Sequence, residues 1–474
     1  MISIDRTSRI PAYVQIYNHL KIDISQGAYC ADDKLPSVRF LAEQLGVSRN
    51  TVGKAYQQLN AEGYVVSKDR SGYFVDPHIL EYVDIPVASD CRFIVDTVDE
   101  EIVPPDVPAF FDPVSYDFFY GNILEELLPR DALRKVAVDA LYESGRSGLY
   151  FDMFGNYEFR ERLSRHLGKT RGVHCSAESI AIQSGTRDCM ERFIHLFNPK
   201  EDVIAVEQPG WLGAAQVARN NHFSMRYLDV TDWQKFFEDI ESSGAKIVYV
   251  TPSHQFPTGK IMPYAVRLRL IDWARRNDAY ILEDDYDSDY RYSELPVPSL
   301  QSLDSFGRVA YMGTFSKVFS SGMRTAYLVL PPQLVRPYRE RLLSYWCPVS
   351  WLIQRMLSRL IESGDYERQV RKQMKYFRTS QSLLVNALRR ELSQVVSISG
   401  EGAGLHVWLH AIDGRTADEL TTLALEQGVR VYSGAPYWVD KDKVDNKTLL
   451  MGYSEIPHKD IEPGVARLKK AWLG

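Results

Sequence analysis

A lysine in a turn of small residues is the first candidate for chemistry in this chain. Lys317 lies in the segment GTFSKVFSSGMR, directly after a short apolar run. Partial burial at such a turn would lower the pKa of the amine and free it to condense with a carbonyl group. Thr314 and Ser316 place hydroxyls beside it, and the guanidinium of Arg324 could pair bidentately with a phosphate. A single lysine is more often a solvated surface charge, so the interpretation depends on its neighbours.

Two other segments supply suitable neighbours. The segment EDDYDSDYRY at 283–292 follows an apolar run, and carboxylates there are costly near a core unless they meet a cation. A protonated pyridine ring is such a cation. The turn SGTRD at 184–188 offers backbone N–H groups at a predicted helix start, which suits an anion. A lysine, an acidic residue and a phosphate cradle are the three parts that binding pyridoxal phosphate requires.

Short apolar runs that end in turns predict how these residues come together. Amphipathic helical stretches such as PYAVRLRLIDWARRN lie between some of the runs. This alternation is typical of an α/β fold in which a large, mostly parallel sheet is covered on both faces. Ligands of such sheets bind beyond the carboxyl ends of the strands, so the polar residues that end the runs are predicted to share one site. The runs are SIAIQSG, DVIAVEQPG, AKIVYVTP, AYILEDDYD and RVAYMGTFSK.

The N-terminal residues predict three short helices and a hairpin. One helix should cover Ala12 to Ser25, and a second should begin after Ser37 and stop at Gly46. A third follows after a short turn, and two helices so spaced form a helix-turn-helix, whose second helix reads the DNA major groove. The alternating segment YVVSKDRSGYFV then predicts a two-stranded wing. A protein-docking module with solvated charges is the alternative.

Composition limits what the chain can be. Its 474 residues predict two or three domains, and 45% hydrophobic with 25% charged residues is typical of a soluble globular protein. We expect no membrane helix, since no apolar run approaches the roughly 20 residues that one needs, and no signal peptide. Five scattered cysteines without metal-site spacing favour a reducing cytoplasm. The net charge of −6 argues against a chain coated in nucleic acid but permits a local DNA-binding patch.

Composition and sequence pattern divide the chain into a reader domain over 1–76, a proline-rich linker over 77–114 and a large domain over 115–474. The reader domain resembles the winged helix-turn-helix domain of the GntR family through LPSVRFLAEQLGVSRNTVGKAYQQLNAEGYV and SGYFV. The resemblance implies an N-terminal α/β winged helix-turn-helix that contacts phosphates and base edges of double-stranded DNA. It assigns these contacts to Arg39, Arg49, Asn50, Thr51 and Lys54, and in the wing to Arg70 and Gly72.

The large domain resembles fold-type I aminotransferases, and the whole chain resembles the MocR subgroup of GntR regulators. The segments FDMFGNYEFRERLSRHLGKTRGV, SGTRDCMERF, VEQPGW, TPSHQFPTG, ILEDDYDSDYRY, GTFSKVFSSGMR and GVRVYSG carry the resemblance. It implies a pyridoxal 5′-phosphate-binding domain with a small C-terminal α/β subdomain. Lys317 would hold the cofactor covalently, Asp284 would pair with the pyridine nitrogen, and Tyr286 would hydrogen-bond the phenolic oxygen. The adjacent Asp285 remains an alternative to Asp284. Trp211 would stack on the ring, and the phosphate would be held by Gly185, Thr186, Thr314, Ser316 and Arg324.

Two departures from the resemblance concern recognition of a carboxylate. Relatives that bind amino acids often carry arginines where this chain has Gly213 and Leu450. An arginine clamp is what a carboxylate ligand normally needs. Arg187, Arg430 and His254 are the candidates to replace it.

These observations predict a cytoplasmic regulator that uses an aminotransferase-like fold for sensing. DNA binding would respond to pyridoxal phosphate at Lys317, and the target genes would serve vitamin B6 or amino-acid metabolism. Sensing an amine or amino acid by exchange with Lys317 is one alternative, and a working aminotransferase fused to a DNA reader is another. The resemblance also implies a homodimer on repeated half-sites, with each reader domain resting on the partner's large domain.

Overall fold

The computed structural model describes residues 4, 5, 8, 10–69, 71–79, 114–142, 152–292 and 298–474. The chain divides into two units, Met1–Val107 and Pro108–Gly474. Arg70 and most of the predicted linker lie outside the described residues. None of the described helices combines the length and the apolarity that crossing a membrane requires.

The first unit contains the predicted three helices and hairpin. Helix α1 spans Ala12–Ser25, α2 spans Val38–Leu45 and α3 spans Arg49–Ala61. Strands β1 (Val65–Lys68) and β2 (Gly72–Val75) pair antiparallel. The apolar faces meet in one core made of Ile16, Leu20, Ile24, Leu35, Leu41, Ala42, Val52, Ala55, Tyr56, Leu59, Val65 and Val75.

Local caps fix the turn between α2 and α3. The hydroxyl of Ser37 accepts a hydrogen bond from the backbone N–H of Phe40 at 3.2 Å, and that of Ser48 accepts one from Thr51 at 3.1 Å. Gly46 ends α2 with a φ of 62°, a left-handed conformation that glycine adopts without strain. The start of α2, its end and the start of α3, the predicted reading helix, are therefore each marked by a local capping residue.

The second unit alternates helices and strands. Its strands are β3 (Tyr116–Asp117), β4 (Ile180–Gln183), β5 (Val203–Gln208), β6 (Ser224–Asp229), β7 (Ala245–Val250), β8 (Tyr280–Asp284), β9 (Val309–Thr314), β10 (Ala326–Val329), β11 (Val396–Ser399), β12 (His406–Ala411), β13 (Val429–Arg430), β14 (Tyr432–Ser433) and β15 (Thr448–Gly452). Its helices are α4 (Arg130–Leu141), α5 (Tyr157–Arg171), α6 (Thr186–Ile194), α7 (Leu212–Asn220), α8 (Trp233–Ser242), α9 (Tyr264–Arg276), α10 (Leu300–Leu303), α11 (Pro332–Arg341), α12 (Trp351–Glu362), α13 (Asp365–Leu392), α14 (Ala417–Glu426) and α15 (His458–Leu473).

Seven of the described strands form the central sheet, in the order β4-β10-β9-β8-β7-β5-β6. All its pairings are parallel except those of β10, which runs antiparallel to both β4 and β9. The prediction of a mostly parallel sheet is confirmed. The reversed strand matters for the site, because Ala326 at the start of β10 pairs with Thr314 at the end of β9 and with Gln183 at the end of β4. Arg324, two residues before β10, therefore lies at the same edge as the turns that follow β4 and β9.

The small C-terminal subdomain is an antiparallel sheet in the order β11-β12-β15-β14, with α13 and α15 packed together. Strand β13 pairs in parallel with β3, so the beginning of the large unit is tied to its C-terminal part. This tie brings the residues directly after β3 close to the central sheet, where Gly121 contacts Lys317.

Candidate functional site

A cavity of about 310 Å³ lies at the carboxyl edge of the central sheet. All nine residues assigned to the cofactor line it, although they come from four separate stretches of chain. The topology explains this, since β4, β5, β8 and β9 end at one edge and β10 begins there. The remaining lining residues are Tyr120, Gly121, Arg187, Tyr249, Thr251, Phe256 and Ser321.

The amine of Lys317 is held in this cavity by one hydrogen bond and one aromatic ring. Nζ donates to the carbonyl of Gly121 at 3.0 Å and lies 4.4 Å from the centroid of the Tyr120 ring. Burial lowers the pKa of Lys317 to about 8, although the carboxylates of Asp287 and Asp284 act in the opposite direction. A substantial fraction of the amine is therefore unprotonated near neutral pH, as a nucleophilic amine requires.

The adjacent carboxyls of Asp284 and Asp285 have different surroundings. Asp284 lines the cavity and accepts a hydrogen bond from the Tyr249 hydroxyl at 2.8 Å, and the Oδ1 atoms of both carboxyls are buried with no hydrogen-bond partner among the described residues. Asp285 instead accepts from Nε of Arg171 at 2.7 Å and from the hydroxyl of Tyr311 at 2.7 Å. Burial raises the pKa of Asp284 to about 8. For Asp285 burial is the largest single effect and raises the pKa, but the charge of Arg171 and the hydrogen bonds from Tyr311 and Arg171 together outweigh it, so the pKa is lowered. The geometry therefore favours Asp284 as the carboxyl that faces a ligand.

Donor groups gather where α6 begins. Gly185, with a φ of 150°, precedes Thr186, the first residue of that helix. A Cβ on residue 185 would lie 2.5 Å from Nη2 of Arg324, so glycine is what lets the guanidinium approach the helix N-terminus. On the other side, the Thr314 hydroxyl donates to Oγ of Ser316 at 3.0 Å. A helix N-terminus, hydroxyls and a guanidinium together suit a phosphate.

The hydroxyl of Tyr286 is contacted twice by His254 and also has a side-chain hydrogen bond with Tyr120. The O–H donates to the backbone carbonyl of His254 at 3.1 Å, and Nδ1 of the same histidine lies 3.1 Å from the hydroxyl oxygen. That nitrogen also lies 2.7 Å from Oδ2 of Asp287, and the imidazole and carboxyl are each 2% exposed. His254 is thus engaged with Asp287, which counts against its predicted part as a clamp for a carboxylate ligand.

Apolar side chains occupy the region of the missing arginine clamp. Phe256, Trp408 and Leu450 form a buried cluster beside the cavity. A Cβ on Gly213 would lie 2.2 Å from Cζ2 of Trp211, so any side chain at 213 must displace the indole. The aromatic rings packed against this cluster are Tyr120, Trp211, Tyr286, Tyr432 and Tyr437.

The other two candidates for a replacement clamp differ in position. Arg187 lines the cavity, and its Nη2 donates to Gln216 at 3.2 Å. Arg430 pairs with Asp117 at 3.0 Å, where β13 meets β3. Of these two, only Arg187 is placed to meet a ligand in the cavity.

Sequence reasoning missed several residues that complete the site. Gly121 and Tyr120 come from the start of the large unit, 196 and more residues before Lys317, and no local motif marks them. Tyr249 was hidden inside a run interpreted only as a strand, although it supplies the hydrogen bond to Asp284. A polar residue in the middle of an otherwise apolar strand, next to a strand that ends in carboxylates, is the signal that could have found it.

These residues fit pyridoxal phosphate. The buried Oδ1 of Asp284 lacks a hydrogen-bond partner among the described residues and would accept from a protonated ring nitrogen. The raised pKa of Asp284 shows that its buried environment disfavours its charge, and a cation at Oδ1 would reverse this. Lys317 and the donor groups around Gly185 line the same cavity, where the aldehyde and the phosphate would have to lie.

Of the residues predicted to contact DNA, the structure describes Arg39 in α2, four residues in the first half of α3, and Gly72 at the start of β2. Arg39, Arg49, Asn50, Lys54 and Gly72 are exposed. Thr51 is half-buried, and its hydroxyl is 2.8 Å from that of Ser48. Two cations that the prediction omitted lie near the wing, with the amines of Lys34 and Lys68 at 5.7 and 4.5 Å from the Phe74 ring centroid.

Comparison with known families assigns both units. Residues 12–75 match the bacterial regulatory proteins of the gntR family, and residues 121–445 match aminotransferase class I and II. In its fold the large unit is similar to LysN, an α-aminoadipate aminotransferase of Thermus thermophilus, with a TM-score of 0.68 and 24% identity over 76% of this chain and 92% of that chain.

Full-length relatives combine both units. The uncharacterized HTH-type transcriptional regulator YdeL of Bacillus subtilis is 35% identical over 99% of this chain and 98% of its own length. The HTH-type pyridoxine biosynthesis transcriptional regulator PdxR of Corynebacterium glutamicum is 28% identical over 90% of this chain and 88% of its own length.

Proposed function

The chain belongs to the MocR subgroup of GntR transcription regulators, whose aminotransferase-like domain takes pyridoxal phosphate, and we propose that its binding to promoter DNA responds to occupancy of the Lys317 site by pyridoxal phosphate itself. The regulated genes would serve vitamin B6 or amino-acid metabolism. The relative PdxR, named for control of pyridoxine biosynthesis, supports the vitamin B6 assignment.

One observation carries the choice of effector. The cavity has the parts needed for the cofactor, yet the clamp positions hold Gly213, which the Trp211 indole closes, and Leu450, which is 1% exposed in an apolar cluster. A carboxylate in this region would lose its hydration without gaining a cation. The described cations that line the cavity are Arg187, Lys317 and Arg324.

Each cavity residue then has a distinct role. When bound, pyridoxal phosphate supplies an aldehyde and a ring that withdraws electrons. Lys317 would supply the amine for covalent attachment, and Asp284 would keep a proton on the ring nitrogen. Tyr286 would donate to the phenolic oxygen, and Trp211 would stack on the ring. Gly185, Thr186, Thr314, Ser316 and Arg324, which line the same cavity, would hold the phosphate.

Regulation would require two reader domains to bind the DNA together. The exposed Arg49 and Asn50 of each lie at the first turn of α3, which is the part of a reading helix that meets base edges. Because single readers of this size bind weakly, we propose a homodimer that spans two half-sites and forms through the large domain, whose fold relatives are commonly dimeric.

Recognition of an amine or amino acid is the second candidate. Arg187 favours it, because this guanidinium lines the cavity outside the proposed phosphate cradle. An amino compound would exchange with the Lys317 amine, and slow amino-group transfer could accompany that exchange. The reader domain weighs against an enzyme as the main function, since catalysis has no use for a DNA-reading helix.

The test is a titration of apo-protein on DNA upstream of its own gene. We expect pyridoxal phosphate to change the footprint, and amino acids to change it no further. Lys317→Ala should abolish the visible absorbance of the bound cofactor and the response, whereas Lys260→Ala, an exposed lysine of the same unit, should change neither. Arg49→Ala should weaken DNA binding and leave the absorbance intact. A footprint that ignores the cofactor but responds to an amino acid would overturn the proposal in favour of the second candidate.

A further inference from the structure

The histidine behind Tyr286 has a geometry that the proposed roles do not use. His254 lies in the segment after β7, and Tyr286 and Asp287 lie in the segment after the neighbouring strand β8. One residue, His254, contacts the Tyr286 hydroxyl twice, with its backbone carbonyl at 3.1 Å and with Nδ1 at 3.1 Å. A hydroxyl held from two sides by one residue has little rotational freedom.

Asp287 determines which histidine nitrogen carries the hydrogen. A carboxylate can only accept, so the 2.7 Å contact between Nδ1 and Oδ2 places the hydrogen on Nδ1. In the neutral ring Nε2 is then bare, and it is buried with no hydrogen-bond partner among the described residues. The one hydrogen on Nδ1 therefore points toward Asp287, with the Tyr286 oxygen also 3.1 Å from that nitrogen. The Tyr286 hydroxyl donates its own hydrogen to the His254 carbonyl in this structure, and donation to a cofactor would require that hydrogen to turn from the carbonyl while the oxygen stays in place.

Close packing shows that the pair is built into the fold. A Cβ on Gly404, which has a φ of 78°, would lie 2.1 Å from Cε1 of His254 and 2.7 Å from Oδ2 of Asp287. The chain before β12 therefore approaches the pair more closely than any other residue type would allow. Both side chains are 2% exposed, so water does not compete for these contacts.

We propose that His254, oriented by Asp287, is a positioning residue that holds the Tyr286 hydroxyl as a hydrogen-bond donor to the bound cofactor. This rests on the proposed function, because it needs pyridoxal phosphate in the cavity. His254 itself touches Tyr286 and Asp287, and it acts on the cofactor only through the tyrosine. Its effect should appear in the pH at which the visible spectrum of the bound cofactor changes.

The direction of the effect follows from charge. A hydrogen bond donated to an anionic oxygen stabilises the deprotonated form of the bound cofactor. Loss of that donor should raise the midpoint of the spectral titration by about one pH unit, since a hydrogen bond to a charged group is worth about that much. Other titratable groups that act on this part of the site are Asp284, Asp287, Tyr249, Tyr120, Lys317, His406 and Arg324, and the variants below leave all of them in place.

A spectrophotometric pH titration of full-length protein loaded with pyridoxal phosphate tests the inference. Tyr286→Phe removes the donor and should raise the midpoint by about one unit, and His254→Leu, which removes the side chain that holds the Tyr286 oxygen, should raise it in the same direction. His254→Asn places an amide N–H near the former Nδ1 and should restore a midpoint close to the original. His166→Leu is the matched control, because His166 pairs with Glu367 at 3.1 Å in the same unit but does not line the cavity. If His254→Leu fails to fold, His254→Gln replaces it, since its amide reaches the position of Nε2 instead of Nδ1.

The double variant separates a positioning role from a merely structural one. If His254 acts through Tyr286, adding His254→Leu to Tyr286→Phe should shift the midpoint no further. An unchanged midpoint in His254→Leu, or a full additional shift in the double variant, would overturn the inference. Failure of the proposed function looks different, because the unaltered protein would then develop no visible absorbance with pyridoxal phosphate at all.

Discussion

The proton affinity of Lys317 predicts how the rate of cofactor capture depends on pH. Burial lowers the pKa of this lysine to about 8. At pH 7.5 about a quarter of such an amine is unprotonated, against about one part in a thousand for a lysine with a pKa of 10.5, so the reactive fraction should be on the order of 200-fold larger than at an ordinary lysine and capture correspondingly faster, less the lower intrinsic nucleophilicity of a weaker base. The rate should increase about tenfold per unit below pH 7 and level off above about pH 8.

Rapid mixing of apo-protein with pyridoxal phosphate between about pH 6 and 10, followed by visible absorbance, measures this profile. Asp287→Asn removes the larger of the two carboxylate effects that hold the proton on Lys317, so its plateau should begin at a lower pH. Asp272→Asn removes an equal charge from the exposed face of α9 and should leave the profile unchanged. A rate that keeps rising to pH 10, or an Asp287→Asn profile identical to the original, would refute the argument that burial and Asp287 determine the pKa of Lys317.

Four further predictions concern other residues of the chain. Asp284→Asn should weaken binding of pyridoxal phosphate at least about tenfold in equilibrium dialysis. Asp285→Asn should instead lower the free energy of unfolding by about 3 kcal/mol, because it removes the carboxylate that pairs with the buried Arg171 guanidinium. The raised pKa of Asp284 means that the apo-protein loses stability as pH rises from the carboxyl's unfolded pKa up to about 8. Asp284→Asn should therefore reduce that loss in urea titrations between about pH 5 and 8. Gly185→Ala should weaken cofactor binding, because the added Cβ would collide with the Arg324 guanidinium. Gly244→Ala is the control, because Gly244 also has a positive φ but no atom within 4 Å of the added Cβ, and it should not weaken binding. Equal losses in both variants would show that backbone strain alone is responsible. Ser48→Ala removes the N-cap of α3 and should speed amide hydrogen exchange in that helix about fivefold, because the cap stabilises the helix by about 1 kcal/mol. Unchanged exchange would mean that the cap does not stabilise the helix.

The sequence predicted the parts of the site that follow strands. Lys317, Asp284 and Gly185 each come directly after an apolar run, and the rule that parallel strands end at one edge is enough to bring them together. The helices of the reader domain could be predicted equally well, because Ser37, Ser48 and Gly46 are capping residues that mark the helix ends in the local sequence. Local sequence thus predicts where the helices and strands end, and the strand order of the sheet brings those ends together in one site.

Long-range partners could not be predicted in this way. The choice between Asp284 and Asp285 depends on Arg171, 114 residues earlier, and the contact of Lys317 depends on Gly121, 196 residues earlier. Neither pairing leaves a periodic or compositional trace in the chain. The reversed direction of β10, which brings Arg324 to the phosphate cradle, is likewise a property of the assembled sheet.

The contact between Gly213 and Trp211 has a consequence for redesigning ligand preference. An arginine introduced at 213 alone would collide with the indole, because even a Cβ there would lie 2.2 Å from Cζ2. Retuning the pocket toward amino acids therefore has a required order, in which the ring at 211 is made smaller before a cation is added. The intermediate with a smaller ring would keep Lys317, Asp284 and the phosphate donors, so the change at 211 leaves the other parts of the cofactor site in place while space for a new ligand is opened.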